Sequence, residues 1–259
     1  MRRDLLASRE LAWRLMLRDI QAKYRQSLLG LFWAFVPPIL TAVGLVLARK
    51  TGVVNIDDTN LPYPAFVIFS TALWQTFVEA LNGPITAVVA AKPMLGKINF
   101  PREAIILAKL GEVFFNFGIK LILIVGIFLW FKMPITPSAL LAPVALLHLV
   151  TLGTGLGLLL VPIGVLYGDV SKVLPLIVTP WLMITPVFYA VPASGLFAAV
   201  VRLNPVTPLL MTTRELATTG IVTDTLSFWG ATGLAFGTLL IGWFLYRLAM
   251  PFLIERMGS

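Results

Sequence analysis

Residues 28–48 read LLGLFWAFVPPILTAVGLVLA, a run of 21 positions without a single charged side chain. About 20 mostly apolar residues are enough for a helix to cross the roughly 30 Å hydrocarbon layer of a bilayer. Lipid offers no hydrogen-bond partner to an exposed backbone amide or carbonyl, so the chain satisfies these groups within the segment itself. The stretch therefore predicts a membrane-spanning helix.

The rest of the chain has the same character. Its 259 residues are 58% hydrophobic and only 12% charged, about half the charged fraction of an ordinary soluble domain. We expect an all-α integral membrane protein with one domain of six transmembrane helices over 28–247 and a short tail over 248–259. The other five predicted spans are 64–87, 105–131, 139–167 (bent near Pro162), 173–191 and 226–246.

The positions of the basic residues predict the orientation. Cytoplasmic segments next to a membrane carry the excess of Lys and Arg. Thirteen of the twenty basic residues fall on one side of the six spans, five fall on the other, and Lys109 and Lys120 lie within the third span. This count predicts that both termini are cytoplasmic.

Residues 1–27 are too charged to insert, yet they keep a helical pattern. One side carries apolar residues and the opposite side carries polar ones; the apolar set is Leu6, Trp13, Leu17, Ile20 and Tyr24, and the polar set is Arg3, Arg14, Arg18, Gln21 and Arg25. The pattern predicts an amphipathic helix on the cytoplasmic leaflet. A solvated helix is the alternative, and the charges argue against a cleaved signal peptide.

Between the fifth and sixth spans, residues 192–225 mix apolar pieces with helix breakers such as Gly195, Asn204, Pro205 and Pro208. No uninterrupted crossing fits this stretch. Irregular backbone is tolerated at membrane depth where protein surrounds it. We therefore expect short re-entrant helices here.

Several kinds of chemistry are missing from the sequence. There is no cysteine and one histidine, His148, which excludes disulfides, thiolate nucleophiles and the usual zinc and iron sites; we assign His148 no role and predict no metal site. The phosphate-binding pattern G-x-x-x-x-G-K-[ST] does not occur. Although the net charge is +8, the basic residues sit between apolar runs, so nucleic-acid binding is not expected. The chain is not predicted to be an enzyme or to hold a cofactor of its own.

Besides Lys109, three charged residues lie deeper inside predicted spans: Glu79, Glu112 and Lys120. Such groups are costly in lipid and need partners. Glu79 and Lys120 fall at similar depths in adjacent antiparallel spans, which predicts an ion pair between them. A role facing a translocation path, or contact with lipid head groups, is the alternative.

A series of short motifs occurs along the chain in this order: Tyr24-Arg25-Gln26-Ser27-Leu28-Leu29-Gly30-Leu31-Phe32-Trp33 followed by Pro37; Phe69-Ser70-Thr71-Ala72-Leu73-Trp74; Lys97-Ile98-Asn99-Phe100-Pro101-Arg102-Glu103; Asp169-Val170; Thr185-Pro186-Val187-Phe188-Tyr189; and Asn204-Pro205 with Arg214. Together these motifs resemble the membrane subunits of type-2 ABC exporters in the polysaccharide group, and the resemblance covers about residues 10–247. One departure is Gly168, where the family commonly has Arg.

The resemblance implies a homodimer in the bacterial cytoplasmic membrane, bound to two copies of a separate ATP-binding subunit that holds ATP and Mg²⁺. The cargo it implies is a lipid-linked polysaccharide such as O-antigen, with teichoic acid, capsule, glycolipid or drug as alternatives. An intramembrane enzyme acting on lipid-linked sugars and a passive scaffold are rival hypotheses from other classes. The glycan and its lipid carrier cannot be deduced from the sequence.

The resemblance also implies roles for particular residues. Contact with the ATP-binding subunit maps to Lys97, Phe100, Pro101, Arg102, Glu103, Asp169 and Lys172; an ordinary helix cap is the alternative for residues 100–103. The motif at the start of the first span comprises Tyr24, Ser27, Gly30, Trp33 and Pro37. Candidates for the translocation path or its gate are Phe32, Trp33, Trp181, Pro186, Phe188, Tyr189, Asn204, Pro205 and Arg214, although aromatic residues also serve as interface anchors and packing groups.

Overall fold

The computed structural model describes residues 2–25, 30–52, 59, 61–95, 101–134 and 136–258; side chains are described from residue 9 onward, except those of Tyr24, Ile254 and residues 256–258. Ser27, Lys97 and Phe100 lie outside the described residues, as does the side chain of Tyr24. In the described ranges all regular structure is helical.

Nine α-helices occur in these ranges: α1 Arg2–Arg25, α2 Val36–Lys50, α3 Tyr63–Leu95, α4 Glu103–Trp130, α5 Ala142–Leu166, α6 Val170–Met183, α7 Leu196–Leu203, α8 Val206–Ala217 and α9 Thr225–Gly258. Two 3-10 turns, Gly30–Ala34 and Pro137–Leu141, precede α2 and α5. Helix α9 continues without a break through most of the predicted tail.

Four helical segments are long and apolar enough to cross a membrane: Tyr63–Leu95, Glu103–Trp130, Pro137–Leu166 and Thr225–Leu253. Helices α7 and α8 meet at 80° and count as a fifth crossing only if the bent pair is one span. The chain is therefore a multi-pass membrane protein. Helices α2 and α6, with 15 and 14 residues, are shorter than the roughly 20 residues that a straight crossing needs.

The first predicted span differs from the structure at its start. We expected a helix from residue 28, but α2 begins at Val36 and a 3-10 turn precedes it. Pro37 and Pro38 occupy the first helical turn, where a missing amide and a fixed φ are tolerated. Farther into a helix, the same two prolines would remove hydrogen bonds and clash with the preceding turn. The pair of prolines therefore sets the start of α2.

The fifth predicted span, 173–191, is also shorter than expected, because α6 ends at Met183. A proline disfavours helical backbone in the residue before it. Thr185, two positions beyond Met183, precedes Pro186, so the helix cannot continue far past its observed end. The chain then continues without regular structure to α7.

The core of the bundle is built on α3, most of which is buried. Helix α5 runs parallel to α3 and so close to it that Gly153 and Gly157 leave no space for a Cβ atom against the α3 backbone. Helix α9 runs parallel to α5, because His148 lies beside Phe228 while Gly242 contacts Leu158. Helix α4 is antiparallel to α3, since Phe69 packs against Phe128, 5.8 Å between ring centroids.

These directions define two ends of the bundle. The Glu103 end holds the beginning of α4 and the carboxyl-terminal parts of α3, α5 and α9; the Arg214 end holds the opposite helix ends and α8. Because α5 finishes at the Glu103 end and α9 begins at the Arg214 end, residues 167–224 traverse the thickness of the bundle.

Helix α1 packs along the first half of α4. Ala12 and Leu15 are buried against Ala104 and Ala108, whereas Trp13 and Leu17 are exposed. The apolar side that the sequence indicated is thus separate from the side that contacts protein. Helix α1 has a protein face, an exposed apolar face and a polar face.

Candidate functional site

The predicted ion pair between Glu79 and Lys120 is confirmed. The ammonium group of Lys120 donates to Glu79 Oε1 at 2.6 Å, and the amide of Asn116 donates to Glu79 Oε2 at 2.8 Å. The Lys120 side chain is 2% exposed and that of Glu79 is 33% exposed. The pair joins the middle of α3 to the middle of α4.

Polar residues continue along α4 toward the Glu103 end. Glu112 accepts hydrogen bonds from Lys109 at 2.6 Å and from Lys23 at 3.1 Å. Residues 109, 112, 116 and 120 recur every three or four positions, which places them on one side of the helix. Through Lys23, this polar side also connects α1 to the bundle.

Arg214 is the most buried cation of the Arg214 end. Its guanidinium group donates to Ser70 Oγ at 2.7 Å and to the carbonyl of Pro186 at 3.2 Å. It also lies over the ring of Phe66, 4.1 Å from the centroid, an arrangement that stabilises a cation away from water. One side chain of α8 thus links α3 to the segment that follows α6.

Asn204 is the second connecting residue at this end. Its carbonyl oxygen accepts from the indole of Trp181 at 2.9 Å and from the amide of Val206 at 3.1 Å. Its amide donates to Thr185 Oγ1 at 2.9 Å and to the Ile184 carbonyl at 3.3 Å. Asn204 is extended, as expected before Pro205, and this creates the bend between α7 and α8.

The structure therefore brings most of the gate candidates together. We use "Arg214 cluster" for these seven residues: Trp181, Pro186, Phe188, Tyr189, Asn204, Pro205 and Arg214. The Phe188 carbonyl accepts from Tyr63 at 3.1 Å, and the Tyr189 hydroxyl donates to the Met183 carbonyl at 2.8 Å. Trp181 packs edge-on against Trp74 and Phe77, so its ring is largely covered by protein.

Phe32 and Trp33 lie outside this cluster. They belong to the 3-10 turn before α2, where they are 67% and 56% exposed. Gly30 begins that turn with a φ of 47°, a left-handed conformation that glycine adopts without strain. The two aromatic rings are thus presented on the outside of a single protomer.

At the Glu103 end, the predicted coupling residues sit beside α9. The buried Tyr246 donates to the carbonyl of Arg102 at 2.9 Å, and Arg247 pairs with Glu103 at 2.9 Å. Pro101 precedes this junction and accepts from the Ala104 amide at 3.1 Å. The start of α4 is thereby attached to the last helix.

The second predicted contact with the ATP-binding subunit is more exposed to solvent than the first. Asp169 and Lys172 lie 3.5 Å apart at the beginning of α6, with side chains 80% and 81% exposed. The neighbouring ends of α3 and α5 are joined by Lys92, which donates to the carbonyl of Val165 at 2.8 Å.

Sequence reasoning missed several partners of these residues. Ser70 stood in a recognised motif, but nothing indicated that it binds Arg214, 144 positions away. Phe66 and Tyr246 looked like ordinary apolar residues of their spans, and Tyr63 lay just before the second span.

Comparisons with known proteins give a consistent result. The family model described as ABC-2 type transporter matches residues 10–216. A protein of Myxococcus xanthus called O-antigen export system permease protein RfbA is 27% identical over 212 residues, which are 80% of each chain. Two Klebsiella pneumoniae proteins with the same description are 22% identical over 209 and 207 residues, 79% and 78% of each chain.

Proposed function

Because the chain belongs to the ABC-2 type transporter family, we propose that it is the membrane subunit of an ATP-driven exporter of lipid-linked polysaccharide. The observation that carries this proposal is the similarity to O-antigen export permeases over four-fifths of both chains. The chain supplies the path, and a separate subunit supplies ATP, Mg²⁺ and hydrolysis. We place it in the bacterial cytoplasmic membrane as a homodimer.

The proposed topology has six crossings with both termini in the cytoplasm. Helices α3, α4, α5 and α9 provide four of them. The traverse of residues 167–224 requires a fifth, which we assign to α6 and the segment after it, and the 3-10 turn with α2 provides the first. Helices α7 and α8 then dip into the membrane from the outer side and return. The Glu103 end faces the cytoplasm, in agreement with the distribution of basic residues.

In this orientation α1 lies where its three faces have distinct partners. Ala12 and Leu15 contact α4, Trp13 and Leu17 contact acyl chains, and the arginines of the polar face contact lipid head groups and water. Lys23 keeps the helix attached through Glu112.

We assign coupling to the Glu103 end. A motor outside the bilayer moves the spans only through cytoplasmic elements firmly joined to them. Arg102 and Glu103 meet this requirement, since Tyr246 and Arg247 fix them to α9, while the exposed Asp169 and Lys172 offer a second contact. The Arg214 cluster, at the opposite end, forms the outer closure of the path. Phe32, Trp33 and α6 line the path between the two copies.

The test is co-expression with the ATP-binding subunit. The two chains should co-purify in equal amounts, and the complex should deliver glycan to the outer side in an ATP-dependent manner. Arg102→Glu should lower export at least about tenfold, as expected when a charged interface contact is reversed. Lys132→Glu, a charge reversal at an exposed residue of the opposite end, serves as the control and should leave co-purification and export unchanged. Normal export by the Arg102 variant would contradict the coupling assignment, and export without any nucleotide hydrolase would contradict the function.

A further inference from the structure

A polar furrow lies at the Arg214 end, behind the Arg214 cluster. It consists of two adjoining cavities of about 360 and 340 Å³, at the small end of the usual range for ligand pockets. Both cavities are lined by Val191, Met211, Glu215 and Thr223. We call the combined cavity the threonine furrow.

Its lining is part polar and part apolar. Six threonines line one or both cavities: Thr59, Thr207, Thr212, Thr218, Thr219 and Thr223. Glu215 and Asp224 add two carboxylates, and Arg202 and Arg214 add two guanidinium groups, each of which already donates hydrogen bonds to the protein. Pro208 and Met211 add an apolar surface. A larger groove of about 610 Å³ between α2 and α4 is by contrast lined by apolar residues and glycine only. The furrow is therefore suited to a ligand with both polar and apolar sides.

The furrow offers mainly hydrogen-bond acceptors. Thr218 donates its proton to the Arg214 carbonyl, and Thr223 donates to Glu215 Oε1 at 2.6 Å. Each hydroxyl and each carboxylate oxygen keeps a lone pair for a further donor. Two hydrogen bonds from Ser227 hold the pKa of the Asp224 carboxyl below its ordinary value, so this group is ionised at neutral pH. With two carboxylates and two guanidinium groups, the lining carries no net charge. A matching ligand is therefore rich in hydroxyl groups and uncharged.

The furrow shares a wall with the proposed outer closure. Ala190 and Val191 follow directly on Tyr189, and Arg214, which holds the Pro186 carbonyl, also lines the second cavity. Material leaving the path at this end passes close to the furrow.

We propose that the threonine furrow binds neutral sugar units of the exported chain, an inference that rests on the proposed function. Sugar hydroxyls donate to the threonine and carboxylate oxygens, and the apolar side of a sugar ring lies on Met211 and Pro208. The ligand class is a neutral hexose or deoxyhexose, because a lining without net charge does not compensate the desolvation of a uronic acid or a phosphate.

The experiment measures sugar binding to the full chain, co-purified with its ATP-binding subunit in lipid nanodiscs, by saturation-transfer NMR. The probes are methyl α-D-mannoside, methyl α-D-galactoside and methyl α-L-rhamnoside, with methyl β-D-glucuronide as the anionic probe. At least one neutral glycoside should bind and the glucuronide should not. Thr212→Val and Glu215→Gln should each weaken binding about five- to tenfold, the usual effect of one lost hydrogen bond.

Thr212→Ser should restore binding, and Thr151→Val, a matched change on α5 away from the furrow, should leave it unchanged. The proposal is overturned if none of the three neutral glycosides binds, if the furrow variants bind as the wild type does, or if glucosamine or Ca²⁺ displaces the glycoside, which would indicate a cation site. Retained co-purification with the ATP-binding subunit in all variants separates failure of the furrow from failure of the proposed function.

Discussion

The two ends of the bundle are held together in different ways. At the Arg214 end, the buried side chains of Asn204 and Arg214 make hydrogen bonds to three segments, namely α3, α6 and the stretch that follows α6. At the Glu103 end, the contacts are fewer and several are exposed, such as Asp169 with Lys172. Buried polar contacts specify one arrangement because each broken bond leaves a group without water. Exposed charges cost little to rearrange and remain available to a partner.

Under the proposed function, this difference means that the Arg214 end stays closed until it is forced to open, whereas the Glu103 end is available for binding to the ATP-binding subunit. If this is correct, equivalent substitutions at the two ends should affect different properties. Changes at the Arg214 end should lower stability, and changes at the Glu103 end should mainly lower transport. The following predictions test this division.

The largest effect is expected for Arg214→Ala. The change removes a buried cation and leaves Ser70 and the Pro186 carbonyl without their donor, which we expect to lower the free energy of unfolding by about 3–4 kcal/mol. Unfolding in detergent, followed by intrinsic fluorescence, measures this loss. Arg202→Ala at the exposed end of α7 is the control and should change stability by less than about 0.5 kcal/mol. Equal stability of the two variants would remove the basis of the comparison.

The Glu79–Lys120 pair lies between the two ends. It tests whether the burial of the remaining partner decides how much stability is lost when an ion pair is broken. Glu79→Gln leaves the enclosed Lys120 ammonium without a counter-charge and should cost about 3 kcal/mol. Lys120→Met leaves a partly exposed carboxylate that Asn116 still binds, and it should cost less. The double variant should recover much of the loss in the same unfolding assay. A double variant as unstable as the sum of the single ones would show that the two groups do not interact.

Asn204→Asp tests how much the hydrogen bonds donated by Asn204 stabilise the Arg214 end. The carboxylate still accepts from Trp181 and Val206, but it loses the donor to Ile184 and Thr185, for an expected cost of about 2 kcal/mol. A shift of tryptophan fluorescence toward longer wavelength should accompany the loss. Asn82→Asp is a matched change on α3, where one hydrogen bond to the Val78 carbonyl is lost. A larger effect at residue 82 than at 204 would contradict the connecting role of Asn204.

The smallest effect on stability is expected for Tyr246→Phe. It removes one hydrogen bond to the Arg102 carbonyl, a cost of about 1 kcal/mol, while the ring stays buried. If α9 holds the coupling residues in position, ATP-dependent export should fall clearly even though the variant remains folded. Tyr167→Phe, at the exposed end of α5, is the control. Unchanged export in the Tyr246 variant would show that this contact only supports the fold.

The sequence predicted those parts of the fold that depend on local composition and periodicity. The predicted boundaries of the second, third, fourth and sixth spans fall close to or within the observed helices, and the Glu79–Lys120 pair followed from equal depth in antiparallel helices. Helix ends controlled by long-range contacts were predicted less well. Helix α6 stops at Met183. Asn204, some twenty residues later, donates to the Ile184 carbonyl and to the Thr185 hydroxyl just beyond that helix end.

In the candidate site, too, features with a local sequence signal were predicted and features created by the fold were missed. The motif containing Asn204, Pro205 and Arg214 was found from the sequence, and the structure shows why those residues belong together. The faces of α1 were predicted only in part, since the small residues Ala12 and Ala104 carry little hydrophobic signal although they allow close packing. The furrow was not predicted at all, because threonines in loops and helix ends are common and only the fold gathers them.

The glycines of α5 have a mechanical consequence. Gly153 and Gly157 bring the α5 backbone against that of α3, and Gly242 does the same between α5 and α9, so these three parallel helices cannot slide past one another without collision. Helices α2 and α6 bury few of their residues in the protomer. In the proposed homodimer, the three-helix block would therefore be the fixed frame, and the two short helices would move when a passage between the two copies widens.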